Sequence, residues 1–543
     1  MLSTIISSFQ SSDIFSISLT FIVIYIVRYY YKFFTRLNPL PGPFPLPLLG
    51  NGHQIVGTDF NKWLLSMYKK YGDMYEINLA GSRTIILNST DLIESMNVPS
   101  TKTKYPFRFQ PTEGSKEYGL GGVGVANNNE LKSWKFNRQF FSQAMMTPSF
   151  NHQAIEWTIE LWEQMESHWN SLGENHELDL SKWMHRFTND MIFRVSTGVK
   201  NDAVTSYYHT LILEDNNQSL SEKEKEKDRE SERFIQSIQI FIRGFMPFFA
   251  LSKYIRRYVP FVRGKMNKLI ENRDYLINSL YKVIKQRRIE IENTPLDQPL
   301  RHDMLTSFIT ANTPRDINVE KHVDADLLRP MTDKEICGNL LDAMIAGTDT
   351  TANMLSFVIY LLEKNPEVKQ KLRQEFDSVL GNDLTKPMTL KNIEELKYCD
   401  AVIKEVFRHI PVAFLLGRLS VENDKVGGYN WPKGTQFQIH TSALMMRDDY
   451  WTDPEKFDPD RFYKVEESDK YLLEKQHAKN SFMMWGGGIR ICPGRKLAIT
   501  ELKCLIPLIY RKYDIELRSP LEYKSEILTY CEKLLVKVKP RKF

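Results

Sequence analysis

Apolar and polar positions along the 543-residue chain fall into three regimes. From Ile14 to Val27 the run IFSISLTFIVIYIV carries no charge, and past Arg28 the aromatics Tyr29, Tyr30, Tyr31, Phe33 and Phe34 prolong it. Together they approach the ~20 residues that a spanning helix needs. Tyrosines at one end, followed by Lys32 and Arg36, have the character of an interfacial belt with a cytosolic positive flank. Residues 1–36 are therefore expected to be a single-pass membrane anchor, with the rest of the chain facing the cytosol. A cleaved signal peptide is the alternative, but no basic stretch precedes the run and no small-residue cleavage site follows it. Alternate prolines from Pro39 to Pro47 then favour an extended, semi-rigid segment. Residues 37–50 are expected to be a stiff spacer; a target for a proline-binding module is the competing reading.

Past Gly50 no second linker and no fixed-period repeat is seen, and most long segments space their apolar residues at i, i+3, i+4. Residues 51–543 are expected to form one mainly α body with small β-sheets. Met74–Leu79 and Thr84–Leu87, flanking Ala80-Gly81-Ser82-Arg83, predict a hairpin, and a second strand region surrounds Gly427-Gly428-Tyr429 and Pro432-Lys433-Gly434. The stretch from Ser221 to Glu230 alternates charge with no apolar face, which predicts a solvated loop or an exposed helix. Phe241 to Phe249, leading to Lys253, Arg256, Arg257 and Arg263, suits either an anionic membrane surface or buried packing. Thr332-Asp333-Lys334-Glu335 has the form of a capping box, and no proline follows before Pro366. That predicts a helix of roughly 45–50 Å, long enough to cross the whole body.

Composition narrows the classes. At 42% hydrophobic and 26% charged the chain excludes collagen-like, wholly disordered and multi-spanning proteins. With 72 Lys+Arg against 67 Asp+Glu, the net charge of +5 gives no reason to expect nucleic acid as a partner. Five cysteines without a CxxC pair make neither a disulfide framework nor a zinc site, so a single thiol stands out for its own chemistry.

Two segments carry that chemistry. Inside the long helix, Ala346-Gly347-Thr348-Asp349-Thr350-Thr351 puts a glycine, an acid and hydroxyls where core residues are expected. An interior glycine costs about 1 kcal/mol relative to alanine. It would let a ligand approach the backbone, while an acid beside a threonine can pass that ligand a proton. A locally bent packing helix would show the same residues. Near the carboxyl end, Trp485-Gly486-Gly487-Gly488-Ile489-Arg490-Ile491-Cys492-Pro493-Gly494 clears side chains for a flat cofactor. Cys492 is expected to open a helix, whose dipole favours a thiolate, and Arg490 to reach a carboxylate on the cofactor rim.

These motifs together resemble a eukaryotic microsomal cytochrome P450. The family's F-x-x-G-x-R-x-C-x-G loop is matched by Gly488, Arg490, Cys492 and Gly494, with Trp485 in place of the Phe. Its [AG]-G-x-[DE]-T-[TS] motif is met by Ala346 to Thr351, its E-x-x-R by Glu405 and Arg408, and its P-E-R-F by Pro459-Asp460-Arg461-Phe462, with Asp460 in place of the Glu. The resemblance implies haem b with Cys492 as axial ligand, and Trp134, Arg138 and Arg418 as propionate partners. It implies an ion network of Glu405, Arg408 and Arg461, and a proton-delivering pair of Thr350 and Asp349 beside Gly347 and Ala346. The implied reaction is hydroxylation of a lipophilic molecule such as a sterol, fatty acid, terpenoid or xenobiotic, using O2 and two NADPH-derived electrons. Selectivity is expected in Tyr105 to Val125, Phe241 to Val262, the distal helix and Val412 to Leu416. No dinucleotide fingerprint is visible, so electrons must come from a separate NADPH–cytochrome reductase, or partly from cytochrome b5. Lys132, Lys135, Lys479, Arg495 and Lys496 would steer that acidic partner, and the implied location is the endoplasmic reticulum membrane. The alternatives are an O2-independent isomerase or dehydratase of the same fold and a non-catalytic haem-binding or electron-carrier protein.

Overall fold

The computed structural model describes residues 11–55, 57–79, 82–119, 122–146, 148–214, 220–317, 328–381, 383–463 and 480–541. At the amino end, helix α1 (Ser11–Phe34) leaves its side chains from Phe15 to Val27 exposed. Among the described residues it is the one helix long and apolar enough to cross a membrane. The proline run after it lies along a strand instead of standing clear. Glu76 N donates to Pro41 O at 3.0 Å, and Arg36 and Arg83 each reach the Glu76 carboxylate at 2.5 Å. A Cβ on Gly42 would meet Glu76 O, so the glycine permits that close approach.

Helix α2 (Phe60–Tyr71) precedes β1 (Met74–Leu79) and β2 (Ser82–Leu87), which pair antiparallel. Of the expected turn, Ala80 and Gly81 lie outside the described residues. Near the other end of the chain come β3 (Leu415–Leu419) and β4 (Gln436–His440), and the sheet order is β1-β2-β4-β3. Ile85 and Leu87 sit opposite Phe437 and Ile439 in the parallel β2–β4 pair. These four share one apolar cluster with Met96 and Met483, while Tyr75, Ile77 and Ile86 face a second cluster with Phe414. The alternation of strand side chains thus gives the sheet two dry faces. Arg418 is in register with Phe437, so it projects on the side of Met96 and Met483, toward the cysteine loop.

The helical body is built from α3 (Leu131–Met146), α4 (Pro148–Leu172), α5 (Leu180–Thr197), α6 (Glu222–Ala250), α7 (Pro260–Asn293), α8 (Asp333–Lys364), α9 (Lys397–His409) and α10 (Arg495–Lys512). The charged stretch forms the exposed first turns of α6, started by a capping box between Ser221 and Glu224. Phe241 and Phe248 are buried and stack on Tyr118, with ring centroids 4.9 and 4.5 Å apart. Of the two readings for that segment, packing applies to these rings; the exposed aromatics come later, at Tyr254, Tyr258 and Phe261. Thr332 caps α8 by accepting from Glu335 N, and the Glu335 carboxylate accepts from Thr332 N at 2.9 Å. At the other end Pro366 cannot continue α8 and starts the next helix. The 32 residues between make a rod of about 48 Å. Its most extensive helix contact is with α5.

Candidate functional site

On α8, Ala346 is exposed and Ile345 and Thr350 are half-buried, although Met344 and Thr348 are buried. These residues form a stripe that packing leaves uncovered on a central helix. Along it the Thr350 hydroxyl donates to Ala346 O at 2.6 Å, a back-bond to residue i−4. The other side of the helix is closed against α5. Thr348 O accepts from Thr188 Oγ1 at 2.8 Å, and a Cβ on Gly347 would come within 2.5 Å of Ile192 Cγ1. The expectation that Gly347 makes room for a ligand is corrected: its missing side chain lets α5 and α8 pack closely. Asp349 also turns to α5, its Oδ1 lying 3.6 Å from His185 Nε2. Burial pushes the Asp349 carboxyl up to about 7, opposed by the charge of Arg243.

Cys492 sits in a loop closed by its own N–H, which donates to Trp485 O at 2.8 Å. Gly486 and Gly488 have φ of +73° and +65°, which glycine adopts without strain. Gly487 serves packing, since a Cβ there would lie 2.9 Å from Asn97. Helix α10 begins at Arg495 with Gly494 as its cap, so Cys492 lies outside the helix and does not open it. That offset lets the Gly494 N–H point back at the sulfur. Burial pushes the Cys492 thiol up, while the Gly494 N–H, Arg108, Arg138 and Arg495 pull it down. Burial outweighs the rest, so the positive surroundings alone do not deliver a thiolate; coordination to a metal would.

Around the cysteine loop the structure collects guanidinium groups. Arg490 is buried, donates to Pro106 O, Val125 O and Asn128 O at 2.7 to 3.2 Å, and lies 4.3 Å from the Trp134 ring centroid. Trp134 Nε1 donates to the same Val125 O at 3.2 Å, and one turn further along α3 Arg138 donates to Ile491 O at 2.6 Å. Arg418 reaches Gly487 O and Asn97 Oδ1, both at 3.0 Å. The sequence reading missed Arg108, which donates to Arg490 O at 3.3 Å. Burial, then Arg108, Arg418 and Arg138, hold the Arg490 pKa down at about 8, with Asp342 opposing. Burial likewise lowers Arg138 and Arg418 to about 10. Asp342, on α8, accepts from Val125 N and Ala126 N at 2.8 and 2.9 Å and also escaped the sequence reading.

This surplus of partly desolvated positive charge calls for an anion. The two propionates of a haem would supply it, and the Cys492 sulfur would be a soft donor for its iron. The residues present fit the group.

Behind the loop, Arg408 donates through Nε and Nη2 to both oxygens of Glu405 at 2.8 Å, and Arg461 Nε donates to Glu405 Oε1 at 3.1 Å. Glu405 and Arg408 are fully buried. Lys132 and Lys135 lie in the first turns of α3, and Arg495 and Lys496 in that of α10. Lys479 lies outside the described residues.

The family profile described as Cytochrome P450 matches residues 40–542. The chain is 26% identical to "Cytochrome P450 3A5" of Homo sapiens, an alignment covering 96% of this chain and 94% of that protein. It is 26% identical to "Cytochrome P450 4d10" of Drosophila mettleri, over 92% and 91% of the two chains. Identity to a "3-beta-hydroxylase" of Tanacetum parthenium is 24%, over 96% and 95%.

Proposed function

The chain belongs to the cytochrome P450 family of haem-thiolate monooxygenases, which work with O2 and electrons from a reductase partner, and on that premise we propose that it hydroxylates a lipophilic small molecule. The observation that carries the reading is the open stripe of α8, with Ala346 exposed and the Thr350 hydroxyl one turn away, in a helix otherwise closed by packing. When bound, haem supplies the one-electron and O2 chemistry. The chain does the rest. Cys492 holds the iron, and Arg108, Arg138, Arg418, Arg490 and Trp134 neutralise and orient the propionates. Ile345, Ala346 and the half-buried Leu416, on the same strand face as Arg418, offer apolar surface to substrate. Thr350 would release its hydrogen bond to Ala346 O to present its proton to the bound ligand, and Asp349 would restore that proton.

We assign residues 1–36 to a single membrane span, 37–50 to a segment packed on the sheet and 51–543 to the catalytic body. The exposed apolar surface of α1 and its Lys32 and Arg36 flank support an endoplasmic reticulum location with the body in the cytosol. The cations Lys132, Lys135, Arg495 and Lys496 suit an acidic reductase or cytochrome b5.

Purified holoenzyme reconstituted with a microsomal reductase and isotope-labelled O2 will place one labelled oxygen in the product. Candidates come from a screen of sterols, fatty acids, terpenoids and xenobiotics for substrate-induced spectral shifts. Turnover that persists without O2 would mean an isomerase or dehydratase. A Thr350→Ala variant will divert electrons from product to hydrogen peroxide, lowering the product yield per NADPH by up to about 10²-fold, the lower range for a positioned proton donor. Unchanged coupling would remove Thr350 from the proton path.

A further inference from the structure

Asp349 raises a question that its place in the proton path leaves open. Its Oδ1 is buried and has no hydrogen-bond partner within standard distance, and such an atom costs about 1–3 kcal/mol unless something compensates. The nearest candidate is His185 on α5. The two side chains are 7% and 1% exposed, with Nε2 and Oδ1 3.6 Å apart. His185 Nδ1 lies 2.7 Å from Ser181 O. A carbonyl oxygen has no proton to give, so Nδ1 carries the hydrogen and Nε2 of the neutral ring is a bare acceptor.

An ion pair would need a charged imidazole, and the surroundings oppose one. Burial pushes His185 down to about 4; the Ser181 carbonyl raises it, and the charges of Arg186 and Arg243 lower it further. Burial raises the Asp349 carboxyl, so this residue binds the proton in preference to the ring. The charged or titratable groups facing the pair are Arg186 on α5, Arg243 on α6 and Tyr530 on the strand Thr529–Lys533. Arg243 is exposed, so its charge is shared with solvent. A neutral acid opposite a neutral imidazole acceptor is the arrangement that leaves no buried charge uncompensated.

We propose that His185 is a positioning residue for oxygen activation: a small side-chain rotation closes the 3.6 Å gap so that its Nε2 accepts a hydrogen bond from protonated Asp349, which holds that acid turned to α5 with its proton in place. No net transfer to the ring takes place. The proton stays on Asp349 Oδ1 until the carboxyl turns to the Thr350 side. The inference rests on the reading of Asp349 as proton donor, and it concerns where the donor waits.

Infrared difference spectra of resting holoenzyme at about pH 6, below the Asp349 value of about 7 and above that of His185, test it, with Asp349→Asn used to identify the carboxyl band. Wild-type protein will show a protonated carbonyl stretch lowered by the hydrogen bond to imidazole. The band will move to higher frequency in His185→Leu and most of the way back in His185→Gln, whose Oε1 can accept. In reconstituted turnover the peroxide share of the electrons consumed will rise several-fold in His185→Leu and fall back in His185→Gln. A carboxylate band in place of the acid, or a band indifferent to His185→Leu, overturns the inference. If instead Asp349→Asn leaves coupling intact while the band obeys His185, the donor reading fails and the pairing stands.

Discussion

A Cys492→Ser variant will form no product and will lack the red-shifted Soret band of the reduced carbon monoxide complex. The cause is the donor atom. Sulfur is a soft, strongly electron-donating ligand, and its push favours O–O cleavage; a serine oxygen is harder, and the hydroxyl loses its proton far less readily. The protein does little to make up the difference. Cys492 lies two residues before the Gly494 cap of α10, and burial raises its thiol despite Gly494 N–H, Arg108, Arg138 and Arg495. Haem content, by contrast, will fall without vanishing, because the guanidinium cluster assigned to the propionates is untouched. The pairing of a lost band with residual haem separates loss of the ligand from loss of the fold. A Cys504→Ser control, in the buried body of α10, will cost stability and keep the band. A normal band in Cys492→Ser would move the ligand elsewhere.

What the sequence told and what it withheld divide along the range of the interactions. Both ends of α8 were readable because their causes are local, a reciprocal cap at Thr332 and Glu335 and a proline at 366. The loop around Cys492 was readable because glycine, arginine and cysteine fall at fixed spacing. Gly347 shows the limit of such signals. A glycine in a helix announces a close neighbour but not which one, and the neighbour is Ile192, more than 150 residues away in the chain. Arg108 carries no signal at all, since a single cation in a loop is ordinary until the fold sets it beside Arg490. His185 is the same case, a single histidine on a helix of mixed apolar and polar residues, with nothing local to name its partner. The parallel pairing of β2 with β4, which helps aim Arg418, joins segments about 350 residues apart and has no local cause.

Glu405→Gln will destabilise the protein by about 3–5 kcal/mol and release haem, the loss expected when one member of a buried pair is removed. One carboxylate serves Arg408 twice, Arg461 once and the Asp458 N–H at 2.9 Å. Arg408 continues to Met445 O and Lys456 O at 2.9 and 3.1 Å, tying α9 to the segment in front of the cysteine loop. Phe462, next to Arg461, packs against Phe482 with centroids 4.8 Å apart, and Phe482 leads into that loop. Gln offers a single acceptor and no charge, so Arg408, fully buried, is left as an uncompensated cation. The same network has a pH signature. Burial acts to raise the Glu405 pKa, but hydrogen bonds from Arg408 and His409 and the charges of Arg408 and Arg461 bring it from 4.5 to about 2. Because the folded value lies below the unfolded one, the stabilisation is complete above pH ~4.5 and is lost as the pH falls through about 2; it amounts to about 3 kcal/mol. Thermal melts of holoenzyme at neutral pH, read with haem retention, check the first effect, and an acid titration that reaches unfolding earlier in wild type than its own neutral-pH stability would suggest checks the second. The discriminating variant is Glu405→Leu combined with Arg408→Leu, which removes the orphaned charge together with its partner. It will melt above the single Glu405→Gln protein. If the double variant melts lower, the damage comes from lost packing between α9 and the loop segment, and the buried cation is not its source.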